Sequence, residues 1–306
     1  MEKLYAAPLE GLTGFVWRIA HRQVFGGADR YFTPFISPNA NCSFQTREKR
    51  DITQNEENLI PQIITNNEEY FIWAAREFAE LGYDEVNFNL GCPSGTVVSK
   101  GKGSGALRDL DKLDRMLDGI FEALPDMKIS LKTRIGIESS NEWPAILQVY
   151  KRYPVSDLII HPRTRRQMYK GEADRELFLD VLGSCPELPL VYNGDVWSSD
   201  DEAFEYGCGV MTGRGLLQHP SMLREVRGGE AASREELSIF HDLLIDGYRT
   251  YMPGELPLIK RMKEFWFYFS NSFEVSDKEI KRLYKSKNYA EYASAAEAII
   301  RGCDLK

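Results

Sequence analysis

The sequence predicts an α/β protein: a (β/α)8 TIM barrel followed by a small, all-helical C-terminal domain. Three observations carry this. Eight short β-rich runs recur along the chain, too far apart for hairpins. Segments of helical periodicity fill several of the gaps, and such alternation over roughly 230 residues suits a barrel whose usual size is about 250. After Gly228-Gly229 the strand signals vanish and helical stripes take over. Periodicity alone also permits a doubly wound open sheet. The change of texture divides the chain into residues 1–232, the barrel, and residues 233–306, the helical domain.

In order, the runs are Leu4–Ala7, Tyr31–Phe35, Ile60–Ile64, Glu85–Asn89, Lys128–Lys132, Leu158–His161, Leu188–Tyr192 and Gly209–Thr212. The second unit is the least patterned, because residues 39–58 are polar. Between the third and fourth runs, Phe71, Ala75, Phe78 and Leu81 share a helical face, and Gly82 is placed to end the helix. Leu110, Leu113, Leu117, Ile120 and Leu124 repeat the pattern until Pro125 forbids continuation. Trp143, Ile146, Leu147 and Tyr150 form a third stripe ahead of Pro154. In the tail, Leu237, Phe240, Leu243, Leu244 and Tyr248 make one face, and Leu258, Met262, Phe265 and Phe269 another. A last helix is expected over about residues 288–300.

With 43% hydrophobic and 27% charged residues, the 306-residue chain can bury a sizeable core, which excludes global disorder. Its five cysteines form no C-x-x-C pair, so neither a zinc site nor a disulfide framework is expected. The start, Met1-Glu2-Lys3-Leu4-Tyr5, does not read as a leader, and no run of 18 apolar residues occurs. A cytoplasmic monomer with no metal and no membrane partner is expected. A net charge of -8 argues at first against nucleic acid. The charge is uneven, however: residues 255–306 hold 10 basic and 8 acidic residues, against 28 and 38 in residues 1–254. Lys260, Arg261 and Lys263 in the tail, and Lys100, Lys102, Arg163, Arg165, Arg166 and Lys170 before it, supply the local field that RNA responds to.

In a barrel the chemistry sits where the strands end at their C-terminal face. Those positions hold Pro8-Leu9-Glu10-Gly11, Gln62, Asn89-Leu90-Gly91-Cys92-Pro93, Lys132, His161, Asn193-Gly194-Asp195 and Gly213-Arg214-Gly215. Singly each has a bland reading: a solvated glutamine, a surface lysine, a core histidine. Together they place donors around one flat, polar, anionic ligand. The glycine-flanked Arg214 adds a phosphate site, because glycine lets backbone N–H groups approach an oxyanion and arginine binds it bidentately. Gly101-Lys102-Gly103-Ser104-Gly105-Ala106 matches a dinucleotide fingerprint but follows a polar stretch rather than a strand. No Walker A sequence occurs. Cys42, Cys185, Cys208 and Cys303 read as buried small hydrophobes. Cys92, at a strand end beside a glycine-rich loop, reads as a nucleophile or a general acid.

Further motifs run in the same order: Ala7-Pro8-Leu9-Glu10-Gly11-Leu12-Thr13, Asn87-Phe88-Asn89-Leu90-Gly91-Cys92-Pro93, Lys132-Thr133-Arg134-Ile135-Gly136, and the stretch His161-Pro162-Arg163-Thr164-Arg165-Arg166-Gln167-Met168-Tyr169-Lys170-Gly171. From Leu4 to Leu217 the chain resembles the dihydrouridine synthases, flavoenzymes that reduce uridine in RNA with FMN and NADPH. The resemblance implies that Pro8, Leu9, Glu10, Gln62, Lys132, His161, Asn193, Gly194, Asp195, Gly213 and Arg214 hold FMN. It makes Cys92 the acid that protonates C5 of uracil while hydride reaches C6. It assigns Asn89 and Arg134 to orienting the base, and Arg163, Arg165 and Tyr169 to holding the RNA, tRNA being the expected substrate. A thiol suits general acid catalysis, since its ordinary pKa of about 8.5 lies above the working pH.

The chain departs from the family's pattern at Leu9, Gly14, Asn87 and Arg175, where Met, Asp, Asp and Trp are usual. The competing readings are a ribosomal RNA substrate, a flavin oxidoreductase of free pyrimidines resembling the dihydroorotate dehydrogenases, and a non-catalytic RNA-binding factor.

Overall fold

The computed structural model describes residues 3–306; Met1 and Glu2, where the reading of the amino terminus starts, lie outside them. Its strands are β1 (Leu4–Ala6), β2 (Arg30–Phe32), β3 (Leu59–Ile60), β4 (Gln62–Ile63), β5 (Glu85–Leu90), β6 (Lys128–Arg134), β7 (Leu158–His161), β8 (Leu190–Tyr192) and β9 (Gly209–Thr212). They pair in parallel in the order β3-β2-β1-β9-β8-β7-β6-β5-β4. The two ends of that order, β3 and β4, are halves of one stave separated by Pro61. Proline has no N–H for the ladder, but its carbonyl accepts from the Asn87 N–H at 2.9 Å. The sheet therefore closes on itself as the predicted eight-stave barrel, and the open doubly wound sheet is excluded.

Parallel strands covered on both faces read as continuous apolar runs, and every residue of β5, β7 and β9 is buried. Tyr5, Ala7, Phe32, Ile60, Ile159, Val191 and Met211 pack together as a core cluster. Near the start of β7, the buried Asp157 accepts from Tyr5 Oη at 2.7 Å and pairs with Lys3 at 2.5 Å. Arg30 pairs with the equally buried Glu85. These ties lie at the amino ends of the strands, the face that serves stability in barrels.

The helix Glu68–Glu80 starts where the Asn67 side chain accepts from the Tyr70 N–H, and it buries Phe71, Ala74, Ala75 and Phe78. Leu81, expected on that buried stripe, is 50% exposed. It caps the helix as the backbone turns away at Gly82, whose φ is +92°. The polar stretch 39–58 contains a helix, Thr46–Ile52, that carries no apolar stripe. A capping box between Gln45 and Glu48 starts it, and the preceding Phe44 stacks on Phe78 at 5.1 Å.

The chain forms two compact units. One comprises the residues through Pro8, Asp29–Asp195 and Glu202–Thr212, and holds all the strands. The other comprises Leu9–Ala28, Val196–Asp201 and Gly213–Lys306. The helix Phe15–Val24 packs on Arg234–Tyr251, with the Phe25 and Phe240 rings 5.1 Å apart. A Cβ on Gly247 would meet Val16 at 2.5 Å, so glycine permits this approach. Glu255–Phe269 buries Leu258, Met262, Phe265 and Phe269 as predicted, while Leu243 and Tyr248 are only partly buried. A further helix, Asp277–Lys285, places Ile280, Leu283 and Tyr284 on one face, of which only Leu283 is buried, and starts at a Ser276–Glu279 capping box. Among the described residues, no helix is long and apolar enough to cross a membrane, and no cluster of His, Cys, Asp and Glu could hold a metal ion.

Candidate active site

The register of the barrel brings the sequence-predicted residues of the first unit together stave by stave. Gln62 lies opposite Asn87, Asn89 opposite Lys132, and Arg134 opposite His161. Asn87 and Asn89, like Lys132 and Arg134, are two residues apart on a strand and so point to the same face.

A chain of amides runs across the staves. Asn89 Nδ2 donates to Gln62 Oε1 at 2.7 Å, Gln62 Nε2 to Asn87 Oδ1 at 2.8 Å, and Asn87 Nδ2 to Ser130 Oγ at 3.0 Å. All four side chains are buried, so the network satisfies groups that would otherwise be costly there. Asn89 Oδ1 also accepts from the Gly91 and Cys92 N–H groups, at 3.1 and 2.9 Å. The Cys92 carbonyl accepts from the N–H and hydroxyl of Ser104, at 3.1 and 2.9 Å. Cys92 is half-buried and held from both sides. Asn87 and Ser104 belong to this machinery without having been singled out as site residues. The period-two spacing Asn87-x-Asn89 in an apolar strand was the signal for Asn87.

Lys132 Nζ donates to Asn193 Oδ1 at 2.6 Å, and Asn193 Nδ2 to the Met211 carbonyl at 2.7 Å. Burial first, and Arg134 second, pull the Lys132 pKa down to about 7, while Cys92 opposes the shift. Arg134 is 2% exposed, and burial lowers its pKa to about 10. Its guanidinium donates to the carbonyls of Gly91 at 2.9 Å, Thr164 at 2.9 Å and Met168 at 2.8 Å. One buried cation thus ties the cysteine loop to the loop after β7. Its charge also lies 5.4 Å from the centre of the Tyr169 ring, which meets His161 edge-on at 6.3 Å. Tyr169 is 48% exposed.

Arg163, which the resemblance assigns to holding the RNA, turns inward. It is 1% exposed and grips Asp195 with both terminal nitrogens, and Nη1 lies 3.3 Å from His161 Nε2. Burial requires such pairing for a guanidinium. The buried Nε of Arg165 has no hydrogen-bond partner among the described residues, nor has that of Arg163. Arg175 donates to Glu202 at 3.1 Å and Tyr206 at 3.2 Å and lies over the Tyr192 ring, so this departure has a structural use.

The remaining predicted residues belong to the second unit, apart from Pro8, which closes the segment of β1, and Gly194. A Cβ on Gly194 would meet Ala173 at 2.7 Å. Leu9 N–H donates to Thr13 Oγ1 at 2.7 Å, setting the turn in which Glu10 is exposed. Gly213 precedes the short helix Arg214–Gln218, and Arg214 lies over the Trp197 ring at 5.0 Å.

A closed parallel barrel whose polar side chains gather at the carboxyl ends of its strands defines a class, that of barrel enzymes acting at that face. The solved structure of "QR15, an Aldolase" shares the fold, with a TM-score of 0.50 and 11% identity over 74% of this chain and 94% of that one. The sequence narrows the class. The family model described as dihydrouridine synthase matches residues 5–290, and the chain belongs to that family of oxidoreductases. It is 27% identical to "Probable tRNA-dihydrouridine synthase" of Staphylococcus aureus (strain COL), over 85% of this chain and 81% of that protein. It is 29% identical to "Probable tRNA-dihydrouridine synthase 2" of Bacillus subtilis (strain 168), over 87% and 84%.

Proposed function

We propose that the chain reduces the C5–C6 double bond of uridine in tRNA to 5,6-dihydrouridine, with FMN as resident cofactor and NADPH as reductant. The observation that carries this reading is the placement of Cys92: Asn89 and Ser104 hold its backbone at the strand-end rim, in electrostatic range of Lys132 and Arg134. The names of the relatives support tRNA as substrate.

The donor set fits a flat, anionic heterocycle. Lys132 has three donors and gives one to Asn193. With Gln62, His161, Asn193 and Gly194, it would hold the FMN ring system. Asp195 acts through Arg163 in this scheme. Pro8, Leu9 and Glu10 would contact the ring, and Gly213 with Arg214 the phosphate. When bound, the flavin supplies hydride to C6. Cys92 then delivers its proton to C5, and the thiolate left behind is stabilised by the two cations nearby. Asn89 and Arg134 keep the thiol in place. Arg165 and Tyr169 would contact the RNA beside the target base.

The purified protein is therefore expected to be yellow and to bleach on adding NADPH. Cys92→Ala should keep FMN and the bleaching but lose turnover on unmodified tRNA; full turnover would remove Cys92 from its role.

A further inference from the structure

Within the second unit lies a cleft of about 530 Å³, lined among others by Glu10, Lys260, Lys263, Glu264, Phe267 and Tyr284. Lys260, Lys263, Glu264 and Phe267 fall at i, i+3, i+4 and i+7 of the helix Glu255–Phe269, so they share one face. The helix buries Leu258, Ile259, Met262, Phe265, Trp266 and Phe269 instead. Phe267 therefore stands on a polar stripe, 67% exposed, where core packing gives it no use. Tyr268 meets its ring at 81° and 5.0 Å, bracing one side. Tyr284, 40% exposed, adds a second aromatic wall.

Resting on the RNA-modifying function above, we propose that this cleft binds one unpaired nucleotide of the RNA substrate, other than the target uridine, its base stacked on Phe267. Stacking on an aromatic ring accepts any base, and lysines beside it take the phosphate. Lys263 donates to the Ser286 carbonyl at 2.7 Å, which fixes one cation at the wall, and Lys260 is exposed. Arg261 pairs with Glu264 at 2.9 Å, which lessens the repulsion that carboxylate would exert on a phosphate. The Glu264 carboxylate suits the N–H edge of a base and disfavours a purely anionic or lipid occupant.

The test is equilibrium binding of the full-length protein to a fluorescent, unmodified tRNA transcript, with dihydrouridine formation followed in parallel. Phe267→Ala should weaken binding roughly tenfold, raising KM while kcat at saturating RNA stays unchanged. Phe267→Tyr should bind within about twofold of wild type, and Phe267→Leu should behave like alanine. Lys260→Ala should lower the salt slope of log Kd by about one. Wild-type binding by Phe267→Ala, in a protein that still modifies tRNA, overturns the cleft and leaves the proposed function standing. Wild-type binding by Phe267→Leu shows an ordinary apolar contact and overturns stacking. A wild-type protein that neither binds nor modifies RNA overturns both.

Discussion

Lys132 sits where burial and Arg134 work against its charge, and its pKa near 7 has a consequence for ligand binding. Its titratable and charged neighbours are Arg134, which lowers the value, and Cys92, which raises it. An anionic ligand favours the ammonium, so binding above pH 7 requires proton uptake. Affinity of the cofactor-free protein for FMN should be full below pH 7 and fall as pH rises above it. Fluorescence titration from pH 6 to 9 checks this, and Lys132→Met should bind weakly with no such slope; an unchanged slope contradicts the role. Arg163 makes a different prediction. Removing it takes the guanidinium from a largely buried Asp195 that keeps the Ala173 N–H, and breaking a fully buried pair costs about 3–5 kcal/mol at most. Arg163→Ala should lose up to that much stability in urea unfolding, whereas a purely RNA-facing arginine would cost almost nothing. At this scale the motifs give residue types but not the direction in which a side chain turns. Nothing in His161-Pro162-Arg163 says that the arginine turns inward, because its partner Asp195 lies 32 residues away.

Elements with a periodic signal were legible. The stripes before Gly82, Pro125 and Pro154 correspond to Glu68–Glu80, Leu110–Ala123 and Trp143–Tyr150. Thr46–Ile52 has no apolar stripe and Asp277–Lys285 a stripe of only three residues, Ile280, Leu283 and Tyr284, too short to stand out; their capping boxes were the readable mark. The short helix Gly103–Arg108 matters for chemistry. Gly103 has φ +55°, and a Cβ there would meet Cys92 Cβ and its carbonyl at 2.9 Å. Gly103→Ala should therefore displace the thiol, lowering kcat at least tenfold if the geometric requirement holds, with FMN content unchanged. Normal kcat would mean that the cysteine need not be held there. In the run that resembles a dinucleotide fingerprint, Gly103 thus serves close packing against Cys92 and Gly105 close packing against Val98.

For the molecule as a whole, the alternation of strands and helices was enough to specify the barrel, but not where compact units divide. The second unit joins Phe25 to Phe240, more than two hundred residues apart, which no local pattern encodes. The net charge of -8 also says little about partners, since the C-terminal segment is locally basic. Binding of tRNA should weaken steeply between 50 and 200 mM salt, as counterion release requires. The central claim, that this chain makes dihydrouridine in RNA through Cys92, is tested most directly by mass mapping of dihydrouridine in total RNA. Cells carrying the gene, lacking it, or carrying Cys92→Ala are compared. At least one tRNA position should lose dihydrouridine on deletion, regain it with the wild-type gene and fail to regain it with Cys92→Ala. An identical dihydrouridine profile in all three strains would contradict the claim.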